Sequence, residues 1–224
     1  MQRTASENRA APHRIVSLLS GGGRTLRNIL DCIERGDLSA RVTRVVSTRK
    51  RVAGNSVATD AGVPLTILPR RSFDTSDAFS DAVLEVLDAE APDLVVCAGF
   101  LSKLEVPARY MGRITNVHPS LLPLFGGKGY YGDRVHRAVL QSGMRVSGCT
   151  VHFIDNAYDA GPIIAQRCVP VYPDDSPDSL GARVFKSECE LYPLAIREVL
   201  AGRVWLDGDR VNVAPDSAIV LPDA

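Results

Sequence analysis

The sequence predicts an α/β protein with a doubly wound, mostly parallel sheet and an antiparallel C-terminal portion. Short apolar, β-branched runs alternate with segments whose apolar positions recur at helical spacing, the order that builds crossover-connected parallel strands. A glycine turn, Gly21-Gly22-Gly23, follows the first strand directly. Farther along, the strand-like segments 148–154 and 163–170, joined by a turn-rich loop, read as an antiparallel pair.

In chain order, the first strand covers 14–19, and the helix 25–35 after it sets apolar residues at 26, 29, 30 and 33. Strand 42–47, helix 51–62, a short strand near 65–68 and helix 75–90 continue the alternation. Strand 93–97, a short helix 104–110 and strand 113–117 follow, and Pro119 and Pro123 stop that strand around a short apolar turn. Helix 132–142, the antiparallel pair, a long helix 177–200 and a short hairpin complete the chain, with surface coil after Val171 and after Asn212. No repeat or low-complexity tract appears, so the expected organisation is a disordered tail over 1–13 and one domain over 14–224.

With 224 residues, 45% of them hydrophobic, the chain can bury one sizeable core. Lysine plus arginine and aspartate plus glutamate each number 26, so no global field favours nucleic acid or an anionic membrane. The expected partners are small molecules, with the chain a monomer or homodimer. Cys32, Cys97, Cys149, Cys168 and Cys189 include no C-x-x-C pair, which argues against a disulfide framework or zinc and reads as buried thiols in a reducing compartment. The polar N-terminus and the lack of a long apolar run point to the cytoplasm.

Chemistry concentrates in three segments. Asn116-Val117-His118 puts an amide and an imidazole on the same side of a strand end, a pairing suited to holding a developing oxyanion while a proton moves. In the loop 155–162, Asp159 is the residue expected against His118, where it would orient the ring and favour its charged form, whereas Asp155 reads as a turn former. His152, between apolar neighbours, is expected to support the site. At the first strand end, Gly23, Arg24 and Thr25 combine bare backbone N–H groups, a helix start and a forked cation into an anion cradle. This turn is neither a dinucleotide fingerprint nor a Walker loop. No metal is expected, because His118, His152 and Asp159 lack the spacing of a ligand set.

Together with Ala98-Gly99-Phe100, Gly148-x-x-Val151-His152-Phe153, Glu188 followed by Tyr192-Pro193, and Trp205-Leu206-Asp207-Gly208, these segments resemble the glycinamide ribonucleotide formyltransferase family. The resemblance runs from about Arg14 to about Asn212. It implies a Rossmann-like formyltransferase fold and transfer of a formyl group from 10-formyltetrahydrofolate, as co-substrate, to the amine of glycinamide ribonucleotide in de novo purine synthesis. It further implies direct amine attack, with Asn116, His118 and Asp159 stabilising the oxyanion and handling protons. Gly23, Arg24 and Thr25 would take the substrate phosphate, Glu188 the sugar hydroxyls, and Leu101, Ser102, Lys103 and Leu104, with Asn116, the folate.

Arg24-Thr25 stands where Ser-Asn is commoner, Ser102 where an arginine is usual, and Ser76 at another arginine position. Lys103 either replaces the missing cation or is a solvated helix-start lysine. The glycine-rich stretch 126–132 is expected to be a mobile lid carrying Lys128, Tyr130 and Tyr131. The competing readings are a formyltetrahydrofolate hydrolase and a non-catalytic phosphate- or folate-binding module. A formyltransferase acting on initiator methionyl-tRNA would need a further domain and a basic surface.

Overall fold

The computed structural model describes residues 11–219. Parallel strands β1 (His13–Leu19), β2 (Ala40–Ser47), β3 (Leu65–Ile67), β4 (Leu94–Cys97) and β5 (Ile114–His118) alternate with helices α1 (Arg24–Glu34), α2 (Ala53–Asp60) and α3 (Ser76–Glu90). Helix α4 (Asp133–Ser142) leads to β6 (Val146–Phe153) and β7 (Ile163–Pro170), which add antiparallel to β5. The seven strands lie in the order β3-β2-β1-β4-β5-β6-β7. The sheet therefore reverses its winding between β1 and β4, and a crevice opens at the carboxyl ends of those strands.

Strands covered on both faces read as continuous apolar runs, because each face takes alternate residues. Leu94 and Val96 of β4 join the core under helix α5 (Pro177–Leu200), while Val95 and Cys97 join the core under α3 with Phe79, Val83 and Leu87. Helix α3 starts where Thr75 Oγ1 accepts from the Ala78 N–H at 3.0 Å. Helix α5 starts at a reciprocal Ser176–Ser179 capping box with Pro177 in its first turn. From α5, Tyr192 is fully buried and shares its hydroxyl hydrogen between the carbonyls of Cys97 at 3.1 Å and Thr115 at 3.0 Å. That hydroxyl ties the ends of β4 and β5 together beneath the crevice.

Several expectations change in detail. Strand β1 begins at His13, and residues 1–10 of the expected tail lie outside the described residues. The expected helix 104–110 is a single 3-10 turn at Ala108–Tyr110: Pro107 lacks an N–H and biases Val106 away from helical backbone. Side chains hold this segment instead, with Ser80 Oγ accepting from Glu105 N at 3.0 Å and Asn156 Oδ1 from Val106 N at 2.7 Å. An unexpected 3-10 turn occupies Arg70–Ser72. Cys168 is exposed because β7 is an edge strand, and Cys189 is only partly covered. Among the described residues no helix is long and apolar enough to cross a membrane.

The segment after Asn212 is not plain surface coil. Following the hairpin β8 (Val204–Asp207) and β9 (Arg210–Val213), it returns to the fully buried Glu198 carboxylate. Glu198 accepts both forks of Arg203 at 2.7 Å, Ser217 Oγ at 2.9 Å and Ala218 N at 3.0 Å. The Arg203 guanidinium, against the penalty of burial, holds this carboxyl down at about 2. A depressed carboxyl contributes stability fully above its ordinary value of 4.5 and loses it as pH falls towards about 2. Glu198→Ala is expected to lower unfolding free energy at pH 7 by about 3 kcal/mol, because it strands Arg203. Urea titration at pH 7 and pH 3 measures this, and the deficit should shrink at the lower pH.

Candidate active site

The crevice at the carboxyl ends of β1, β4 and β5 contains a cavity of about 470 Å³ walled by Gly99, Phe100, Leu101, Asn116, His118 and Asp159. Strand β5 delivers Asn116 and His118 to the same side, and the turn after it is locked from β6 and β7. Thr150 Oγ1 donates to the Ser120 carbonyl at 2.7 Å and accepts from Leu122 N at 3.0 Å, and Gln166 Nε2 donates to the Leu122 carbonyl at 2.9 Å. Gly148 of β6 lies so close to this turn that a Cβ would stand 2.7 Å from Leu121 Cδ2 and 2.1 Å from the Arg167 carbonyl oxygen.

Protonation follows from the hydrogen bonds. His152 lies opposite Asn116 in the β5–β6 register, with Nδ1 at 2.9 Å from the Phe153 carbonyl and Nε2 at 3.1 Å from Asn116 Nδ2. A carbonyl only accepts, so Nδ1 carries the hydrogen and Nε2 receives one from the Asn116 amide. Burial pushes the His152 pKa down, which suits this neutral tautomer. His118 Nε2 donates to the Phe125 carbonyl at 2.8 Å, and its Nδ1 stands 3.5 Å from Asp159 Oδ2. Asp159 Oδ1 is 3.8 Å from His152 Nε2. The expected convergence of Asn116, His118 and Asp159 is therefore present, with His152 behind it.

Asp159 reaches this position with φ 53°, a left-handed conformation that Asp tolerates better than most residues. The turn beyond it needs Gly161, where a Cβ would fall 2.0 Å from the Phe153 carbonyl oxygen. Asp155 is a turn former, as expected, accepting from Ala157 N at 2.9 Å. The glycine-rich stretch lies against the reactive groups: Phe125, also at positive φ, caps His118, and Gly127 N donates to Asp159 Oδ2 at 2.9 Å. Lys128, Tyr130 and Tyr131 wall the same cavity.

Past Thr25 the cavity continues into a hollow of about 410 Å³ walled by residues 21–25, His136 and Phe185. Gly23 takes φ 76° to start α1 and lies against α2 so closely that a Cβ would come within 2.6 Å of Gly54 Cα. The Arg24 guanidinium stacks on the Phe185 ring at 3.7 Å. Thr25 Oγ1 donates to Glu188 Oε1 at 2.5 Å. The residues expected at the phosphate and the sugar thus share one wall.

The expected folate segment divides. Leu101 is exposed on the cavity wall, Leu104 is buried in the core, and Lys103 does not supply a free cation because its Nζ is 2.6 Å from Glu105 Oε1. No helix begins there either. Gly54, Phe185 and Asn156 were not singled out by sequence, since each acts through a contact with a distant segment. Among the described residues no group of three His, Cys, Asp or Glu side chains is placed to hold a metal ion.

The sheet switch point gathers an amide, an imidazole and a carboxylate beside the glycine turn and helix start of residues 21–25, in an α/β fold of the doubly wound class. A family model described as formyl transferase matches residues 13–196, and the chain belongs to that family. Phosphoribosylglycinamide formyltransferase of Escherichia coli (strain K12) is 38% identical over 207 residues, covering 88% of this chain and 95% of the relative. The chloroplastic phosphoribosylglycinamide formyltransferase of Vigna unguiculata is 37% identical over 195 residues, 86% of this chain; the match spans 62% of that longer protein. In three dimensions the chain is similar to glycinamide ribonucleotide transformylase 1 from Symbiobacterium toebii, with a TM-score of 0.84 and 36% identity over 94% of this chain and 100% of that one.

Burial pushes the Glu188 carboxyl up to about 7, against the Thr25 hydroxyl and the Arg24 charge. A raised carboxyl leaves stability intact below its ordinary value of 4.5 and erodes it as pH rises towards about 7. Glu188→Gln is expected to flatten this slope, making the variant relatively more stable at pH 8 than at pH 4.5 by up to about 3 kcal/mol. Urea titrations of both proteins at the two pH values measure the difference.

Proposed function

We propose that this protein transfers the formyl group of 10-formyltetrahydrofolate to the amine of glycinamide ribonucleotide, a step of de novo purine synthesis. The observation that carries the reading is the meeting of Asn116, His118 and Asp159 on one cavity wall that runs on into the anion cradle. The family membership and the names of the relatives support the same reaction.

In this mechanism the substrate amine attacks the formyl carbon, forming the new C–N bond and placing negative charge on the formyl oxygen. The Asn116 amide, oriented by neutral His152, and the His118 N–H are the donors for that oxygen. Collapse breaks the bond from carbon to N10, while the proton lost by the amine passes to N10 with His118 as the proton-handling group. Asp159 orients the imidazole from the other side. The Phe125 carbonyl occupies the same His118 hydrogen in the free protein, so the loop must yield it to substrate. Gly23, Arg24 and Thr25 hold the phosphate, with Glu188 at the sugar and the Leu101 segment at the folate.

Amine-dependent release of tetrahydrofolate in an assay with both substrates tests the proposal. Equal release without the amine would overturn it in favour of hydrolysis, and no release would leave a binding module.

His118→Ala and Asp159→Asn are each expected to lower kcat by about 10²–10³ with smaller changes in KM. The double variant should lose less than the product of the two, because the carboxylate works through the ring. Steady-state kinetics with circular dichroism as a folding control separates this from misfolding.

Arg24→Ala is expected to raise KM for the ribonucleotide by roughly tenfold to a hundredfold while leaving the folate KM near its original value, the range of a charge-assisted contact. Paired KM measurements check it; equal KM values before and after substitution would leave the cradle to its backbone N–H groups.

A further inference from the structure

Beyond residues 21–25, the hollow past Thr25 is walled by His136 from α4 and Gly181 from α5. His136 is only 6% exposed, and its Nδ1 is buried with no hydrogen-bond partner. Buried polar atoms ordinarily find partners, and the formyl transfer proposed above leaves this imidazole without a task.

The hydrogen of the ring can be placed. A neutral imidazole has one N–H and one bare nitrogen, and an orphaned buried N–H is rarer than an under-used acceptor. Nδ1 is therefore the bare nitrogen, and Nε2 carries the hydrogen. Burial pushes the His136 pKa down, against the pull of the Asp133 carboxylate and together with the nearby His118 ring, which suits this neutral form. The Nε2 edge lies beside Gly181, where a Cβ would stand 3.0 Å from Cδ2 and 3.1 Å from Nε2. Gly181 sits inside helix α5 without a positive φ, so its backbone does not call for glycine, which is a poor helix former. What glycine supplies at this point is space, and the space keeps the Nε2–H uncovered at the wall of the hollow.

The surroundings select the ligand. The first N–H groups of α1 have no partner inside the helix, and Arg24 adds a charge, so donors reach this hollow from α1 as well as from α4. Thr25 and Glu188 wall both the hollow and the catalytic cavity, so an acceptor whose sugar lies at Glu188 sends its 5′-phosphate here. Asp133 and Asp178 are exposed on the same walls, so no diffuse positive field draws anions in, and the donors have to be directional. We infer that His136 is a ligand of the acceptor phosphate, donating its Nε2–H to a phosphate oxygen, and that Gly181 is the position that keeps this donor open. The inference rests on the proposed use of a ribonucleotide acceptor and assigns that phosphate a donor from a second helix.

The test measures kcat/KM for glycinamide ribonucleotide and for glycinamide ribonucleoside, which lacks the phosphate, in the wild type, His136→Leu, His136→Gln and Gly181→Ala, with circular dichroism as the folding control. His136→Leu should cut the preference for the phosphorylated acceptor by roughly tenfold, mainly through KM, as expected for one lost hydrogen bond to a charged group. His136→Gln, whose side-chain amide replaces the N–H, should recover most of that preference. Gly181→Ala is favoured by helix propensity yet should also cut the preference, because its methyl crowds Nε2. An undiminished preference in His136→Leu, or in Gly181→Ala should the former fail to fold, overturns the inference. So does a His136→Gln variant that falls as far as His136→Leu, since that marks a packing role. Amine-dependent transfer with the same phosphate preference in every variant sinks this inference and leaves the proposed reaction standing. If neither acceptor is formylated by the wild type, the reaction fails, and calorimetric titration with ribose 5-phosphate and with ribose decides the hollow. Binding of the phosphorylated sugar alone, weakened roughly tenfold in His136→Leu and reduced in Gly181→Ala, supports the contact, and equal binding by wild type and variants overturns it.

Discussion

The site depends first on one neutral imidazole. Its surroundings are dry, and a dry polar group must find a complementary partner or lose free energy. The Phe153 carbonyl claims the Nδ1 hydrogen of His152, which leaves Nε2 able only to accept. Asn116 must then present its NH₂ side to that ring, leaving its remaining hydrogen and its carbonyl for the cavity. Protonating His152 would place two donors face to face at 3.1 Å and free the amide to rotate. The burial that lowers the His152 pKa therefore keeps a neighbouring amide aimed, although His152 itself does not wall the main cavity.

Topology supplies the rest of the alignment. Because β1 and β4 lie side by side while their following segments go to different places, residues 21–25 leave towards α1 and residues 98–101 leave towards the Leu101 wall. Ser20 N still reaches the Gly99 carbonyl at 2.9 Å, so the two diverging loops are joined at their root. Tyr192 does the same one strand over, under β4 and β5. Three hollows open around this root, one walled by residues 21–25, one by Asn116, His118 and Asp159, and one by Arg49, Lys50, Arg70 and Arg71, each walled partly by loops of the same few strands.

Alternation of strands and helices, the glycine turn and the Asn116-x-His118 spacing are local patterns, and the chain states them openly. The antiparallel return of β6 and β7 was legible for the same reason. What stayed hidden acts across distance. That Asn116 faces His152 follows from strand register, which a single sequence does not display. Arg24 reads as a free cation until Phe185, far along the chain, is seen beneath it. Lys103 reads as available until Glu105 is seen to hold it. Residues 104–106 misled in the other direction: their composition permits a helix, and the decision belonged to Pro107 and to the side chains of Ser80 and Asn156.

The backbone contact between Gly23 and Gly54 also limits how this end of the molecule can change by mutation. A Cβ on Gly23 would stand 2.6 Å from Gly54 Cα, and one on Gly54 would stand 2.7 Å from the Gly21 carbonyl oxygen. Neither position can gain a side chain unless helix α2 moves, and both obstacles are backbone, so no compensating trim of a neighbouring side chain relieves them. Single-step routes are closed at these two glycines. Variation is left to the adjacent side chains at 24 and 25, which can be exchanged while the loop backbone stays put. The departures from the Ser-Asn pair that the family resemblance leads one to expect fall at those two positions, so the side chains beside this hollow can change while its backbone wall stays as it is.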